Sequence, residues 1–361
     1  IIMYKTITFL FPHPTAGPTG GYKVVYEYAN RLVNDGHQVN IVYSSSIFWS
    51  KKTFYHKMTS CVRYLQQLLK GYSCRKWFSL DKRVKEHFSL SLNYRHVPKS
   101  DIYVATSPYT AYYLNQYPVE TARKFYLIQD REDWGAGLKA ILFDTYHYSL
   151  HKIVIANWLQ RMLREEYKEE SVLIPNGFDF TKFSLYIPIE EKKQWTVSML
   201  YHEMERKDCT MGFRALAVVK EHYPQLQVNL FGVPDQPKEL PSWYTYYKQP
   251  TANVHNRLNN ESAIYIGTSH TEGWGLTVGE AMICGQAVCC TDNEGYKEMA
   301  IDGVTALVSP VGDSDAMAQN IIRLIENEEL RLHIAENGNR FIQQFSWDES
   351  YHKLLNTLRL H

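Results

Sequence analysis

The stretch Ala263-Ile264-Tyr265-Ile266-Gly267-Thr268-Ser269-His270-Thr271-Glu272-Gly273-Trp274-Gly275-Leu276-Thr277-Val278-Gly279-Glu280-Ala281-Met282 decides the fold. Its first five residues form an apolar run of strand type, and Gly273-Trp274-Gly275 leads into a helix-like stretch. Strand, glycine turn and helix N-terminus in succession make an anion pocket. The first N–H groups of a helix have no intrahelical partner, and the helix dipole favours negative charge there. Glu272 stands before the turn and Glu280 within the helix, so the two carboxylates are expected to do different jobs. A phosphorylated ligand with a hydroxyl-rich tail fits that layout.

Working outward, strand-like and helix-like runs alternate along the whole chain, the pattern of parallel sheets with crossover helices. In the first half the spacing predicts strands at 6–11, 38–44, 102–106, 124–129, 152–156 and 172–174. In the second half it predicts them at 195–201, 227–231, 263–267, 287–291 and 305–308. The fold class expected is α/β, with one doubly wound, Rossmann-like sheet in each half. Boundaries are placed at 1–185 and 186–345, with 184–194 as a linker around Pro188 and the charged run Glu190 to Lys193. The last stretch, 346–361, has Tyr351, Leu354, Leu355 and Leu358 at helical spacing; it either caps the second domain or crosses back to the first.

At 361 residues the chain exceeds one ordinary core. With 45% apolar and 21% charged residues it reads as soluble and globular. Six cysteines, without CxxC pairs, read as buried free thiols in a reducing compartment, which predicts a cytoplasmic protein. No apolar run nears the ~20 residues that span a bilayer. Net charge is +1, yet residues 51–100 hold twelve Lys or Arg against Asp81 and Glu86. Aromatics run through the same stretch. It reads either as a solvated face or as a surface for an anionic membrane; no nucleic-acid module is discernible, so no nucleic-acid partner is expected.

Three further constellations lie at predicted strand ends. Gly20 and Gly21 close a glycine-rich turn before the first helix; it is neither GxGxxG nor a P-loop. Arg206 and Lys207 follow the first strand of the second half, where doubly wound sheets bind ligands, and could neutralise a diphosphate. Gln129 and Asp130 end another strand of the first half; Asp130 either orients an acceptor hydroxyl or caps a helix. Pro175-Asn176-Gly177-Phe178-Asp179 reads as a turn. His270 lacks partners for a metal site, and no Ser–His–Asp arrangement is discernible.

Taken together these residues resemble the retaining glycosyltransferases of family 4, the group 1 transferases of GT-B architecture, in which two such domains face a cleft. Glu272-Gly273-Trp274-Gly275-Leu276 with Glu280-Ala281-Met282 matches that family's Glu-Gly-Phe-Gly-Leu and Glu-Ala-Met pattern. Pro175 to Asp179 matches its Pro-Asn-Gly turn, Lys207-Asp208 its Lys-Gly with the glycine lost, and Asn293 to Glu298 its Gly-x-x-Glu turn. Tyr201-His202 replaces its usual Gly-Arg, and Gln129-Asp130 stands where the family often has histidine.

The resemblance implies transfer of a hexosyl or deoxyhexosyl group, with retention, from a nucleoside-diphosphate sugar to a glycan or lipid-linked acceptor. The setting implied is bacterial surface polysaccharide synthesis at the inner membrane face. Arg206 and Lys207, with the amides of Gly275 and Leu276 and the Thr277 hydroxyl, are expected to hold the diphosphate, and Gly273 and Trp274 to line the donor site. Glu280 is expected on the ribose, Glu272 on the sugar, Gly232 and Val233 near the base, and Gly20 and Gly21 opposite the phosphates. Gln129 and Asp130 are expected near the sugar or acceptor. No cofactor or metal is expected if the two cations carry the charge, and the last helix is expected to cross back to the first domain. The alternatives are another enzyme of the same architecture, such as an epimerase or phosphorylase, or a non-catalytic partner.

Overall fold

The computed structural model describes residues 4–15, 17–46, 53–70, 73–133 and 136–360. The chain divides into two compact units, 1–175 with 348–361, and 176–347.

The first unit is built on a seven-stranded sheet: β1 Thr6–Phe11, β2 Gln38–Ser44, β3 Lys85–Ser89, β4 Ile102–Ala105, β5 Lys124–Ile128, β6 His151–Val154 and β7 Val172–Leu173. The strand order is β3-β2-β1-β4-β5-β6-β7, and every pair is parallel. Parallel strands covered on both faces read as continuous apolar runs, and β4 and β5 are buried along their whole length. The chain reverses its strand order beside β1, where Ile7 pairs with Ile102 of β4. That switch point opens a crevice at the carboxyl ends of the strands. Helix Trp347–Leu358 brings the chain back to this unit. Leu354 and Leu358 are buried, and the Tyr351 hydroxyl donates to Asp35 Oδ2 at 2.7 Å.

The second unit repeats the plan with six parallel strands: β8 Thr196–Tyr201, β9 Gln227–Gly232, β10 Tyr244–Lys248, β11 Ile264–Gly267, β12 Ala287–Thr291 and β13 Ala306–Ser309. Their order is β10-β9-β8-β11-β12-β13. Its core joins Val197, Met199, Leu230, Ile264, Ile266 and Cys289 to Met211, Leu216, Met317 and Ile321 of the covering helices. Helix starts follow local chemistry: Asp313 accepts from the Asp315 and Ala316 amides, and Asn327 from that of Leu330.

Two strands are absent from the sequence reading, β3 and β10, and both are sheet edges. With one side unpaired, they carry polar residues (Lys-Glu-His-Phe-Ser and Tyr-Thr-Tyr-Tyr-Lys) in place of an apolar run. The stretch read as a linker holds buried residues of the second unit, Ile189 and Lys192. Lys192 Nζ donates to the carbonyls of Asn259 at 3.3 Å, Ser262 at 3.4 Å and Cys284. It thereby serves the ends of helices Ala252–Glu261 and Leu276–Ile283. Burial drives its pKa down to about 7. The cysteines are free thiols, and burial pushes Cys284 up to about 12.

Candidate functional site

β8 and β11 lie side by side at the switch point of the second sheet, Val197 pairing with Ile264. The loops that leave their carboxyl ends are stitched together. Thr268 Oγ1 donates to the Lys207 carbonyl at 2.7 Å, the His270 amide to the Arg206 carbonyl at 2.8 Å, and Arg206 Nη1 to the Thr271 carbonyl at 3.2 Å. The outcome is an ion pair: Lys207 Nζ donates to Glu272 Oε1, which also accepts from Ser269 Oγ at 2.6 Å. Both side chains are largely buried, at 14% and 13% exposure, where each charge depends on the other.

Asp208 stands where the resembled family has glycine, and its backbone is left-handed, with φ +41°. Aspartate tolerates that region better than most residues because its short side chain bonds locally. Here it caps helix Cys209–His222 by accepting from the Met211 amide at 3.1 Å, and it pairs with His270 Nε2 at 2.8 Å. His270 is thus part of the loop clasp. Among the described residues no cluster of three His, Cys, Asp or Glu is arranged to hold a metal ion.

Helix Leu276–Ile283 opens at Gly275, whose φ is +98°. A Cβ there would also fall 2.7 Å from the Tyr296 ring. The Val278 and Gly279 amides both return to the Gly275 carbonyl, at 3.1 and 3.2 Å, and no side chain caps the turn. The amides of Leu276 and Thr277 therefore remain donors for an anion. The buried Tyr265 hydroxyl donates to Thr277 Oγ1 at 2.8 Å, leaving the threonine hydroxyl proton to be donated onward. Glu280 is buried, its Oε2 lying 4.0 Å from His255 Nδ1, and the His255 ring packs on Phe231 at 4.3 Å. Gly232 ends the neighbouring β9; a Cβ there would meet the Tyr201 carbonyl at 2.2 Å. Val233 follows at half burial.

One residue of the predicted set, Trp274, and the matched Pro175–Asp179 turn have other tasks. Trp274 turns inward, buried edge-on against Phe345 at 5.2 Å, so it offers a ligand only backbone. The Pro175–Asp179 turn is a wedge: the Phe178 ring sits 2.1 Å from where a Gly279 Cβ would lie, which sets how closely helix Leu276–Ile283 is approached.

The sequence reading named Asn293 to Glu298 and His202 only as a motif match and a departure, and did not foresee the contacts through which they and Ser269 act. The Ser269 carbonyl accepts from Thr291 Oγ1 at 2.5 Å and Asn293 Nδ2 at 3.0 Å, and its hydroxyl meets Tyr296 at 3.2 Å. Through Ser269 the next strand's loop holds Glu272, and Gly295 lets the Glu272 backbone pass close by. His202 Nδ1 accepts from the Met204 amide at 3.0 Å, so a neutral ring carries its proton on Nε2. Burial first, then the charges of Lys207 and Arg206, hold its pKa below the usual histidine value. A neutral N–H donor thus occupies the place of the family's arginine.

In the first unit, Gly20 and Gly21 begin helix Gly20–Asn34, and Gln129 Nε2 donates to the Gly21 carbonyl at 3.1 Å. The Gln129 amide oxygen is buried with no partner among the described residues. Asp130 Oδ1 accepts from the Arg131 amide at 2.8 Å, and Arg131 forks onto Glu166 at 2.6 and 3.2 Å. Beside them Glu132 is buried with φ +57°, and burial, aided by Asp130, raises its carboxyl well above the usual range.

Residues 197–341, within the second unit, match the family described as Glycosyl transferases group 1. An uncharacterized glycosyltransferase of Methanocaldococcus jannaschii is 37% identical over 81 residues, 22% of this chain and 23% of that protein. Phosphatidyl-myo-inositol mannosyltransferase of Mycobacterium tuberculosis is 22% identical over 223 residues, 58% of this chain and 59% of that protein. The matches thus span less than two thirds of those relatives. Among solved structures, Anabaena HepE in complex with UDP-glucose superposes with TM-score 0.73 at 16% identity, over 99% of this chain and all of that one. At that identity the likeness shows the fold, that of the GT-B glycosyltransferases.

Proposed function

We propose that this chain, with a group 1 glycosyl transferase unit as its second half, moves a hexosyl or deoxyhexosyl group from a nucleoside-diphosphate sugar, with retention, to a glycan or lipid-linked acceptor. The setting is construction of a bacterial surface polysaccharide or glycolipid, with the protein peripheral at the inner face of the membrane. The observation that carries the reading is the Lys207–Glu272 pair beside the open first turn of helix Leu276–Ile283.

Breaking the bond between the sugar and the diphosphate develops negative charge on the leaving phosphate. Lys207, Arg206, the Leu276 and Thr277 amides and the Thr277 hydroxyl are donors for that charge, and His202 Nε2–H adds a neutral one. Removing one such donor from an enzyme typically costs about 3–4 kcal/mol of barrier. With the cations in place, a metal is not required. Glu272 orients the donor sugar near its reacting carbon, and Glu280 beside His255 and Phe231 accepts from the ribose hydroxyls. For retention the acceptor oxygen attacks from the face the phosphate leaves, and the phosphate oxygen takes the acceptor's proton. Asp130 and the Gln129 oxygen, the latter without a partner among the described residues, are acceptors suited to sugar hydroxyls.

The test is thermal stabilisation by UDP, dTDP, GDP and ADP, followed by transfer from the matching sugar nucleotide with the anomer read by NMR. Stabilisation by one nucleotide and an axial-to-axial or equatorial-to-equatorial product support the proposal. Free sugar without transfer favours another enzyme of this fold. No nucleotide binding at all favours a non-catalytic partner.

A further inference from the structure

Helix Phe54–Lys70 is built inside out. Its apolar residues recur as Phe54, Met58, Val62, Leu65 and Leu69, the three-and-four spacing of a single face. In a globular helix that face turns to the core. Here all five, with Tyr55 and Leu68, are exposed by 49–87% of their surface. The opposite side faces the protein: Ser60 is buried, its hydroxyl donating to the His56 carbonyl at 2.8 Å, and Gln67 accepts from Ser45 Oγ at 2.5 Å. Seven large apolar side chains on one helix face form a contiguous patch of the kind that marks an interaction surface.

Charge identifies the occupant. The helix holds Lys57, Arg63 and Lys70 and no acidic residue. A second copy of the same face would set cation against cation with nothing on the helix to answer it. An anionic bilayer answers both features, because acyl chains receive the apolar stripe and headgroups receive the flanking cations. The remaining basic surplus of residues 51–100 is partly spent inside the unit. Arg75 is bound to Glu86 and to the Val84 carbonyl at 2.9 Å, and Arg83 to Asp81 and to the Val33 carbonyl at 3.1 Å. Residues 51, 52, 71 and 72 of that stretch lie outside the described residues. No described helix is long and apolar enough to cross a membrane.

We infer that helix Phe54–Lys70 lies in the plane of an anionic membrane, with Phe54, Met58, Val62, Leu65 and Leu69 in the acyl boundary and Lys57 and Arg63 at the headgroups. This deepens the membrane-face reading above and rests on the first unit alone, independent of the donor chemistry.

The experiment is flotation of the full chain with phosphatidylcholine vesicles containing one third phosphatidylglycerol, against phosphatidylcholine alone, at low salt and at high salt. Wild type is expected to float with the anionic vesicles and to release at high salt. Lys57→Gln and Arg63→Gln should each weaken partition about fivefold at low salt. Leu65→Glu with Leu69→Glu should abolish flotation while circular dichroism and nucleotide-induced stabilisation stay as in wild type, since both leucines are exposed. Wild type failing to float at low salt overturns the inference, as does unaltered flotation of the double variant. Self-association in the absence of vesicles that the same pair removes also overturns it, making a second copy the occupant. Because nucleotide stabilisation is read separately, failure here and failure of the donor site are distinguishable.

Discussion

Lys207 and Glu272 meet across the switch point of the second sheet, one from the loop after β8 and the other from the loop after β11. Their contact depends on neighbouring strands that are distant in sequence, and Ser269 holds the same carboxylate oxygen that the lysine reaches. The pair is therefore preorganised by the sheet, and each partner keeps the other's charge tolerable at partial burial.

Lys207→Ala should abolish stabilisation by the matching nucleoside diphosphate, which in wild type reaches about 2.7 kcal/mol at a hundredfold excess over Kd. Transfer should fall about 10²–10³-fold. The single variant should also lose roughly 1–3 kcal/mol of unfolding free energy by stranding Glu272. Lys207→Met with Glu272→Gln should regain part of that stability but none of the transfer. Denaturant titration beside a transfer assay checks both arms.

Gly275→Ala should keep the fold and lose the nucleotide. A left-handed backbone costs an L-residue roughly 1–2 kcal/mol, and the new methyl would press on the Tyr296 ring. Relief requires rotating the first turn that presents the Leu276 and Thr277 amides. Calorimetric titration with the nucleotide that stabilises wild type is the check.

At Asp208, glycine and alanine should diverge. Asp208→Gly removes the strain of φ +41° together with the helix cap, and glycine is itself an acceptable N-cap, so stability should stay within about 0.5 kcal/mol. Asp208→Ala keeps the strain and loses both the cap and the His270 contact, and should cost about 2 kcal/mol. Urea unfolding of the two variants decides.

Lys192 gives a pH signature. Its pKa falls from 10.5 to about 7 on folding. Between those values the unfolded chain holds a proton that the folded chain has released, so this group's contribution to stability rises with pH through that window. Below about pH 7 the residue is charged in both states and its full desolvation penalty applies. Relative to Lys192→Met, wild type should gain on the order of 4 kcal/mol between pH 7 and pH 10. Unfolding free energies of both proteins across that range check it, and parallel profiles would refute the assignment.

The parallel alternation was legible because strands such as β5 and β12 are buried throughout and, Lys124 and Thr291 apart, apolar. β3 and β10 were illegible because these two edge strands carry polar residues in place of an apolar run, unlike the edge strands β7 and β13. In the candidate site, the glycine turn and the two glutamates could be read because backbone geometry demands glycine and charge is visible in sequence. His255, Ser269 and His202 could not, since each acts through a partner many residues away or through a backbone bond that no local pattern signals. Nor could spacing alone reveal that the stripe of helix Phe54–Lys70 faces outward, because an amphipathic period is the same whichever way the helix is turned. Trp274 shows the converse: a residue within the motif whose side chain the fold withdraws.

The second unit is threaded into the chain as an insertion, since the first unit comprises 1–175 and 348–361. The ends of that insertion lie together: Phe178 bridges to Ser346, and its amide donates to the Phe345 carbonyl at 2.9 Å. During synthesis the second unit can therefore close as soon as its own residues emerge, whereas the older, N-terminal unit must wait for Tyr351, Leu354 and Leu358 before its surface is covered. The order of translation and the order of completion are reversed. A released chain ending at Trp347 should leave the first unit incomplete while its second unit is already compact.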